Sequence, residues 1–194
     1  MKLKEMKVNT FSLIEEYYPE LENLAEDADV INKINSVVNN VSMELMPYKK
    51  IPAYKTIEVT DKKTINLKEE LGTEFYQVNN IVGVTGYNML DDVTIQLPEG
   101  FSGEITFYYY KYPKMVKTLF ENDDERQAED ESFEFDLDAD VLHVMPYGIA
   151  ADLLKMDMIS GYGRYFYERY NELKNGINPR RTSGLIYSEG GCDF

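Results

Sequence analysis

The first apolar positions of the chain follow helical spacing. Residues from Phe11 to Tyr17 place their apolar side chains three and four positions apart, which predicts a short helix. Asn9 or Thr10 can cap its N-terminus, because both side chains accept hydrogen bonds from the first free backbone N–H groups. Pro19 cannot continue a helix, so this element must end close to it.

A longer helix is predicted next, and its boundaries are marked by acids and a proline. Between Val30 and Leu45 the apolar residues recur every three or four positions on an otherwise Asn-rich and polar segment. Asp27 or Asp29 can cap this helix, and Pro47 stops it. The pattern predicts one apolar face and a solvated opposite face.

Between Ala53 and Tyr112 the hydrophobic period changes from about 3.6 to 2, which is typical of strands. The turn-forming groups in this region are Asp61-Lys62-Lys63, Asn79-Asn80, Asp91-Asp92 and Pro98-Glu99-Gly100. Their close spacing predicts five or six short antiparallel strands in a small sandwich or barrel. In the last strand Phe107 and Tyr109 face one way, and Tyr108, Tyr110 and Tyr112 face the other. Because both faces are apolar, we expect the chain's own helices or a neighbouring molecule to cover both.

The segment from Glu121 to Glu131 contains seven acids and one basic residue, Arg126. Self-repulsion should keep such a run solvated, so it is predicted to be a loop or a partly disordered connection. Helical spacing returns after it, with Asp138 or Asp140 as the cap and Pro146 as the site of a kink. A final helix is predicted over 164–174.

These patterns together predict an α+β fold. It consists of a small bundle of about three to four helices, an inserted antiparallel β-sandwich or barrel module, and an extended C-terminal tail. The predicted divisions are N-terminal helices at 1–52, the β module at 53–112, an acidic connection at 113–137, C-terminal helices at 138–176 that pack with 29–46 as one bundle, and the tail at 177–194.

Composition narrows the possible functions. Apolar residues make up 43% of the chain, with 16 Tyr and 9 Phe, so a core can form and many buried rings will carry a hydroxyl. The formal charge of −15 opposes attraction to a phosphate backbone, which argues against sequence-specific binding of DNA. Cys192 is the single cysteine, so an intrachain disulfide is excluded. No apolar run approaches the ~20 residues of a membrane span, and no membrane partner is expected.

Catalytic and cofactor motifs are not apparent in the sequence. The single histidine, His143, lies between apolar residues, and no nucleophile motif accompanies it. Asp136, Asp138 and Asp140 resemble the start of a calcium loop, but Val141 stands where such a loop needs glycine and Tyr147 where it needs glutamate. Gly161 and Gly163 follow a predicted helix rather than a strand, so a nucleotide-binding loop is not indicated. We therefore expect no enzyme activity, no metal and no cofactor.

The C-terminal tail has the composition of a docking segment. Pro179, Gly184, Gly190 and Gly191 prevent it from forming its own core, so we expect it to be disordered in the free subunit and ordered against a partner. Its predicted partner-binding residues are Arg180, Arg181, Leu185, Ile186, Tyr187 and Phe194. An alternative interpretation takes the Tyr-rich strand as a stacking platform of a β-sandwich carbohydrate-binding domain, or of another interaction module.

The C-terminal half resembles the head-tail connector, or adaptor, proteins of tailed bacteriophages. The resemblance covers a strand ending in Tyr112-Pro113, an acidic connection, and a helix with a Met145-Pro146 step, small residues at Ala150-Ala151 and a leucine pair at Leu153-Leu154. The aromatic pattern Tyr165, Phe166, Tyr170 and Leu173 completes it. The β module is larger than in the mostly helical members of that family.

The resemblance implies a virion structural protein at the head-tail junction, assembled in the host cytoplasm. Such proteins form a ring below the portal, commonly of twelve subunits, that links the capsid to the tail through neck or tail proteins. DNA passes through the ring without sequence-specific binding. The C-terminal extension would reach the portal, and the acidic run would face either solvent or the channel.

Overall fold

A computed structural model describes residues 1–155 and 161–178 and confirms the predicted α+β class. The helices are α1 (Leu3–Tyr17), α2 (Ala28–Leu45), α3 (Leu67–Leu71), α4 (Asp123–Ser132), α5 (Ala139–Leu153) and α6 (Tyr162–Asn175). The strands are β1 (Ile51–Thr60), β2 (Thr64–Asn66), β3 (Phe75–Val82), β4 (Asn88–Met89), β5 (Thr94–Gln96) and β6 (Ser102–Lys111). Two short 3₁₀ turns at Pro19–Leu21 and Leu24–Glu26 join α1 to α2.

Helix α1 begins earlier than predicted. Leu3 and Met6 are fully buried, and the Lys2 backbone N–H donates to Glu5 Oε2 at 2.8 Å, so the first turn is both packed and capped. The predicted cap residue Thr10 lies inside the helix, where its hydroxyl donates to the Met6 carbonyl at 2.9 Å. The prediction of a start near Asn9 was wrong because Lys2, Lys4 and Lys7 disguise an apolar face that is short and close to the N-terminus.

Helix α2 begins and ends where the sequence indicates. Asp27 caps it by accepting from the Asp29 and Val30 backbone N–H groups at 2.8 and 3.2 Å. Its apolar face is buried against α5, and the helix ends at Leu45, before Pro47. This confirms the prediction of a helix with one apolar face.

Four helices form the bundle. Buried side chains from α1, α2, α5 and α6 share one core with Ile51, Val116, Leu137 and Ile177. Pro146 lies inside α5 and is itself buried. Because Ile177 packs in this core, the folded part continues into the first residue of the predicted tail. Residues 179–194 lie outside the described part of the chain.

The β module is a small sandwich of two three-stranded antiparallel sheets, ordered β1-β6-β3 and β2-β5-β4. Its strands begin at Ile51 rather than at Ala53 and end at Lys111. One core joins the two sheets, and the fully buried Phe75, Ile95 and Phe107 lie within it. Ile51 pairs with Lys111, so the chain enters and leaves the module side by side.

Two local predictions inside the module were wrong. Asn79-Asn80 lies within β3, where the register shifts between Val78 and Asn80, so the polar pair marks a bulge rather than a turn. Leu67 belongs to α3 and not to a strand. Asn66 caps that helix, and Leu67 and Leu71 bury its apolar side. Leu67 also continues the alternation that starts at Ile65, so a period of two predicted a strand where the helix begins.

The acidic segment predicted to be a loop contains α4. Asn122 caps the helix by accepting from the Glu125 N–H at 2.9 Å. The acids of the first turn interact favourably with the partial positive charge at the helix N-terminus. Lysines outside the helix pair with some of its acids. Lys7 of α1 donates to Asp130 at 2.7 Å, and Lys117 pairs with Glu125. The connection assigned to 113–137 is therefore mostly ordered, because long-range ion pairs offset the repulsion.

Residues 113–121 are fastened to α2 by two asparagines. Asn39 donates to the Val116 carbonyl at 2.9 Å and accepts from the Val116 N–H at 2.8 Å. Asn35 donates to the Lys117 carbonyl at 2.8 Å. Buried polar side chains that satisfy backbone groups in this way hold an irregular segment without a strand or helix.

The acids before α5 join the module to the bundle. Lys111, at the end of β6, lies 2.8 Å from Asp136, and Lys49 lies 3.3 Å from Asp138 and 2.6 Å from Asp140. Asp138 occupies the predicted cap position of α5, but its side chain makes no capping hydrogen bond. The expected role of these acids in capping is thus replaced by ion pairs between the two units.

Candidate assembly surfaces

The outer face of the β1-β6-β3 sheet is the first candidate surface. Alternation along β6 turns Phe107 inward, where it is 0% exposed, and Tyr108 outward, where it is 43% exposed. Tyr54 is the partner of Tyr108 on β1 and is 73% exposed. The two rings lie 6.2 Å apart between centroids. We call this surface, formed by Pro52, Tyr54, Thr56, Asn80, Val82, Thr106 and Tyr108, the outer sheet face.

The rows around the tyrosine pair are regular. Thr106 pairs with Thr56 on one side, with their hydroxyls 2.9 Å apart, and with Val82 on the other. Val82 is exposed as well. Coverage of both faces of the Tyr-rich strand was predicted. The chain's described residues cover the inner face and leave the outer sheet face open.

A cleft between α2, α5 and α6 is the second candidate surface. Its volume is about 430 Å³. Its apolar part is made by Val41, Gly148 and Ala151, and its polar part by Asn40, Glu44, Asp152, Lys155, Tyr167 and Tyr170. We call it the bundle cleft. A mostly apolar depression with a few converging polar groups is typical of a binding site.

Gly148 brings the three helices close together at the cleft. A β-carbon at this position would lie 2.7 Å from Tyr170 Cε2 and 2.9 Å from Val41 Cγ1, both closer than atoms can approach. The glycine therefore allows α5 to contact α2 and α6 directly. Glycine is needed here because the helices pack closely, and not because of its backbone conformation, which is helical.

Tyr170 places a polar atom in this packed region. The residue is 3% exposed, and its hydroxyl oxygen is buried without a hydrogen-bond partner. Burial and then the neighbouring Glu44 carboxylate raise the pKa of Tyr170. Lys174 lies 4.7 Å from the ring centroid and donates to Glu44 Oε1 at 2.7 Å. The hydroxyl thus has unused capacity to bond a further group.

The residues considered for chemistry are dispersed. His143 is exposed on α5, while Asp136, Asp138 and Asp140 bind lysines at the module junction. Within 1–155 and 161–178, no group of three or more His, Cys, Asp or Glu side chains is arranged to hold a metal ion. All six predicted partner-binding residues, Arg180, Arg181, Leu185, Ile186, Tyr187 and Phe194, and also Cys192, lie outside the described residues.

Sequence reasoning missed several residues of the two surfaces. Tyr54 could have been found, since its place in the alternation of β1 makes it an outward position. Tyr170 fitted an apolar helix face, and nothing in the sequence shows that its hydroxyl lacks a partner. Gly148 fitted a run of small residues, and its importance depends on side chains more than 20 residues away.

Comparison with known proteins does not identify a family for this chain. No protein-family model matches the chain, and no curated protein matches it. Among the helices described, none is both long and apolar enough to cross a lipid bilayer.

Proposed function

We propose that this chain is a structural subunit of the head-tail connector of a tailed bacteriophage. It forms a homo-oligomeric ring below the portal and links the capsid to the tail. The resemblance of residues 104–175 to connector proteins motivates the assignment, and the ring would be a dodecamer if it follows that family. The protein acts by contact and not by catalysis.

The outer sheet face is the observation that carries this proposal. A monomeric sheet usually places polar side chains on the face that meets water, whereas this one exposes a tyrosine pair and a valine. Tyrosine is favoured at protein interfaces because its ring buries a large area and its hydroxyl still bonds. A ring requires such a permanently available surface on every subunit.

The charge of the chain suits the same role. A formal charge of −15 would repel DNA from the walls of a ring, so that DNA passes without adhering. Helix α4 concentrates part of this charge, and lysines pair with only some of its acids. We expect the partners to be other copies, the portal protein and neck or tail proteins.

Assembly with the portal protein encoded in the same genome tests the proposal. The full-length chain should form rings, alone or on the portal, in negative-stain images and by mass photometry. Tyr54→Ser combined with Tyr108→Ser should weaken assembly at least tenfold, since each central aromatic contributes about 1–2 kcal/mol. Leu119→Ser removes an exposed apolar side chain elsewhere and is the matched control.

Two outcomes would contradict the proposal. A wild-type chain that stays monomeric with and without the portal at high concentration would exclude a connector. Equal assembly by the double tyrosine variant and by the Leu119 control would leave the ring possible but would remove the outer sheet face as its basis.

Carbohydrate binding is the second candidate, and the exposed pair Tyr54 and Tyr108 is the observation that favours it. Two tilted rings on an open sheet can stack on sugar faces. A glycan array with the wild-type chain distinguishes the two functions. A saturable ligand that is lost in Tyr54→Ser, in a chain that forms no rings, would favour this alternative.

A further inference from the structure

We propose that the bundle cleft of one subunit receives the segment 180–187 of a second copy, with an arginine of that segment bonded to the buried Tyr170 hydroxyl. The inference rests on the proposed function, because it requires subunits to meet in an assembly. It identifies a second subunit contact, separate from the outer sheet face.

The cleft has the chemistry of a site for an arginine beside aliphatic side chains. Val41 and Ala151 offer apolar contact, and Glu44 and Asp152 carry negative charge at its polar side. Tyr167 is exposed along the wall, where a guanidinium can stack on its ring. The segment 180–187 carries Arg180 and Arg181 followed by Leu185, Ile186 and Tyr187.

The Tyr170 hydroxyl is the specific feature that an arginine would satisfy. A ligand that bonds this buried hydroxyl removes the cost of leaving it without a hydrogen bond, which favours binding. Guanidinium groups only donate, and the hydroxyl oxygen can accept. One oxygen of Glu44 is held by Lys174, and the other can accept from the same guanidinium.

The positive charges near the cleft do not prevent this arrangement. Lys155 pairs with Asp152 at 3.6 Å, but it is 71% exposed and three residues away on the same helical stretch. Exposed pairs of this kind contribute little to stability, so an incoming arginine can displace Lys155. Lys174 remains bound to Glu44 and lies over the Tyr170 ring.

The point at which the chain leaves the bundle favours a second copy over the same copy. Ile177 is buried, which fixes this point beyond the end of α6. Tyr170 lies seven residues earlier, about 10 Å back along the helix axis at 1.5 Å per residue. Arg180 is three residues past Ile177 and reaches about 10 Å only if it is fully extended. Reaching its own cleft would require the chain to reverse directly after Ile177 and run back along α6.

A photo-crosslinking experiment tests the proposal on the full chain. p-Benzoylphenylalanine replaces Tyr187, and chains grown in ¹⁴N and ¹⁵N media are mixed in equal amounts and irradiated after assembly. We expect crosslinked peptides that join a light segment to a heavy chain at α2 or α5, near Asn40 or Asp152. Crosslinks only within one isotope would show docking in the same copy, and crosslinks only to added portal protein would show another partner. Either result would overturn the proposal.

A charge exchange supplies the second readout. Arg180→Glu with Arg181→Glu should weaken assembly about tenfold or more, and adding Asp152→Arg should restore at least part of it. Tyr170→Phe should weaken assembly while the subunit keeps its thermal stability. Failure of the exchange together with normal rings would contradict this inference and leave the connector function intact. Absence of rings and of portal binding in the wild type would contradict both.

Discussion

The helical bundle and the β module bury their cores in different ways. In the bundle, the helices and the 113–121 segment enclose the core, and the buried side chains of Asn39 and Thr10 are hydrogen-bonded, whereas the Tyr170 hydroxyl is not. In the module, the β1-β6-β3 sheet is covered on its inner face and open on the other. The described part of the bundle is therefore largely closed around its core and contains the bundle cleft, while the module leaves the outer sheet face open. Under the proposed function, the bundle supplies the stability of the subunit and the module supplies a surface for assembly.

The sharpest way to test this difference uses two adjacent residues of β6. Phe107→Ala removes a fully buried ring and should lower the free energy of unfolding by about 3–5 kcal/mol. Tyr108→Ala removes an outward ring and should change it by about 0.5 kcal/mol. Chemical denaturation of both variants measures the pair. Equal losses would mean that the outer sheet face is already covered within the subunit, and the contrast between the two units would fail.

A second test concerns the hydrogen bonds that hold the 113–121 segment against the bundle. Asn39→Ala breaks both hydrogen bonds to Val116 and leaves a buried N–H and carbonyl without partners, which should cost about 2–3 kcal/mol. Asn40→Ala, at the neighbouring exposed position, is the control and should be close to neutral. Melting temperatures of the two variants provide the comparison. A neutral Asn39→Ala would indicate that the 113–121 segment is not part of the bundle's closure.

The smallest expected effect comes from Tyr170 at alkaline pH. Its pKa is raised in the folded chain by burial and by Glu44, whereas the unfolded chain loses this proton near pH 10. Above pH 10 the unfolded state therefore binds fewer protons, and stability falls as pH rises, by up to about 1.4 kcal/mol per pH unit from this group.

Tyr170→Phe should make that alkaline fall shallower in urea denaturation at pH 9, 10 and 11. Some fall will remain, because a hydrogen bond with Tyr17 raises the pKa of Tyr165 to about 12. An identical pH dependence in the wild type and the variant would show that the hydroxyl is exposed to water. The bundle cleft would then lack the dry polar group that distinguishes it from the outer sheet face.

The sequence revealed the parts of the fold that depend on local order. The cap of α2 by Asp27 was predictable because capping involves residues only two and three positions away. The two faces of β6 were predictable because they follow from the alternation of its own residues. Helix α4 was missed because its stability depends on Lys7 and Lys117, which a local count of charges cannot include. Helix α3 was missed because five residues are too few to separate a period of two from one of 3.6.

The candidate surfaces were less accessible to sequence reasoning for the same reason. An exposed Tyr54 and a buried Tyr170 are the same residue type in comparably apolar surroundings. Only the packing of three helices around Gly148 shows that one hydroxyl has no partner. The predicted docking segment itself lies beyond the described residues, and its role stays a prediction.

The pairing of Ile51 with Lys111 has an evolutionary consequence. Paired strands hold the two ends of the module about 5 Å apart. The module therefore connects the segments before and after it in the way that a short turn would. Segments whose ends meet in this way can be exchanged, lengthened or lost without rearranging their host. The module of this chain can therefore be lengthened or replaced while the bundle stays constant. A graft at this position has to preserve that spacing and the lysines at Lys49 and Lys111.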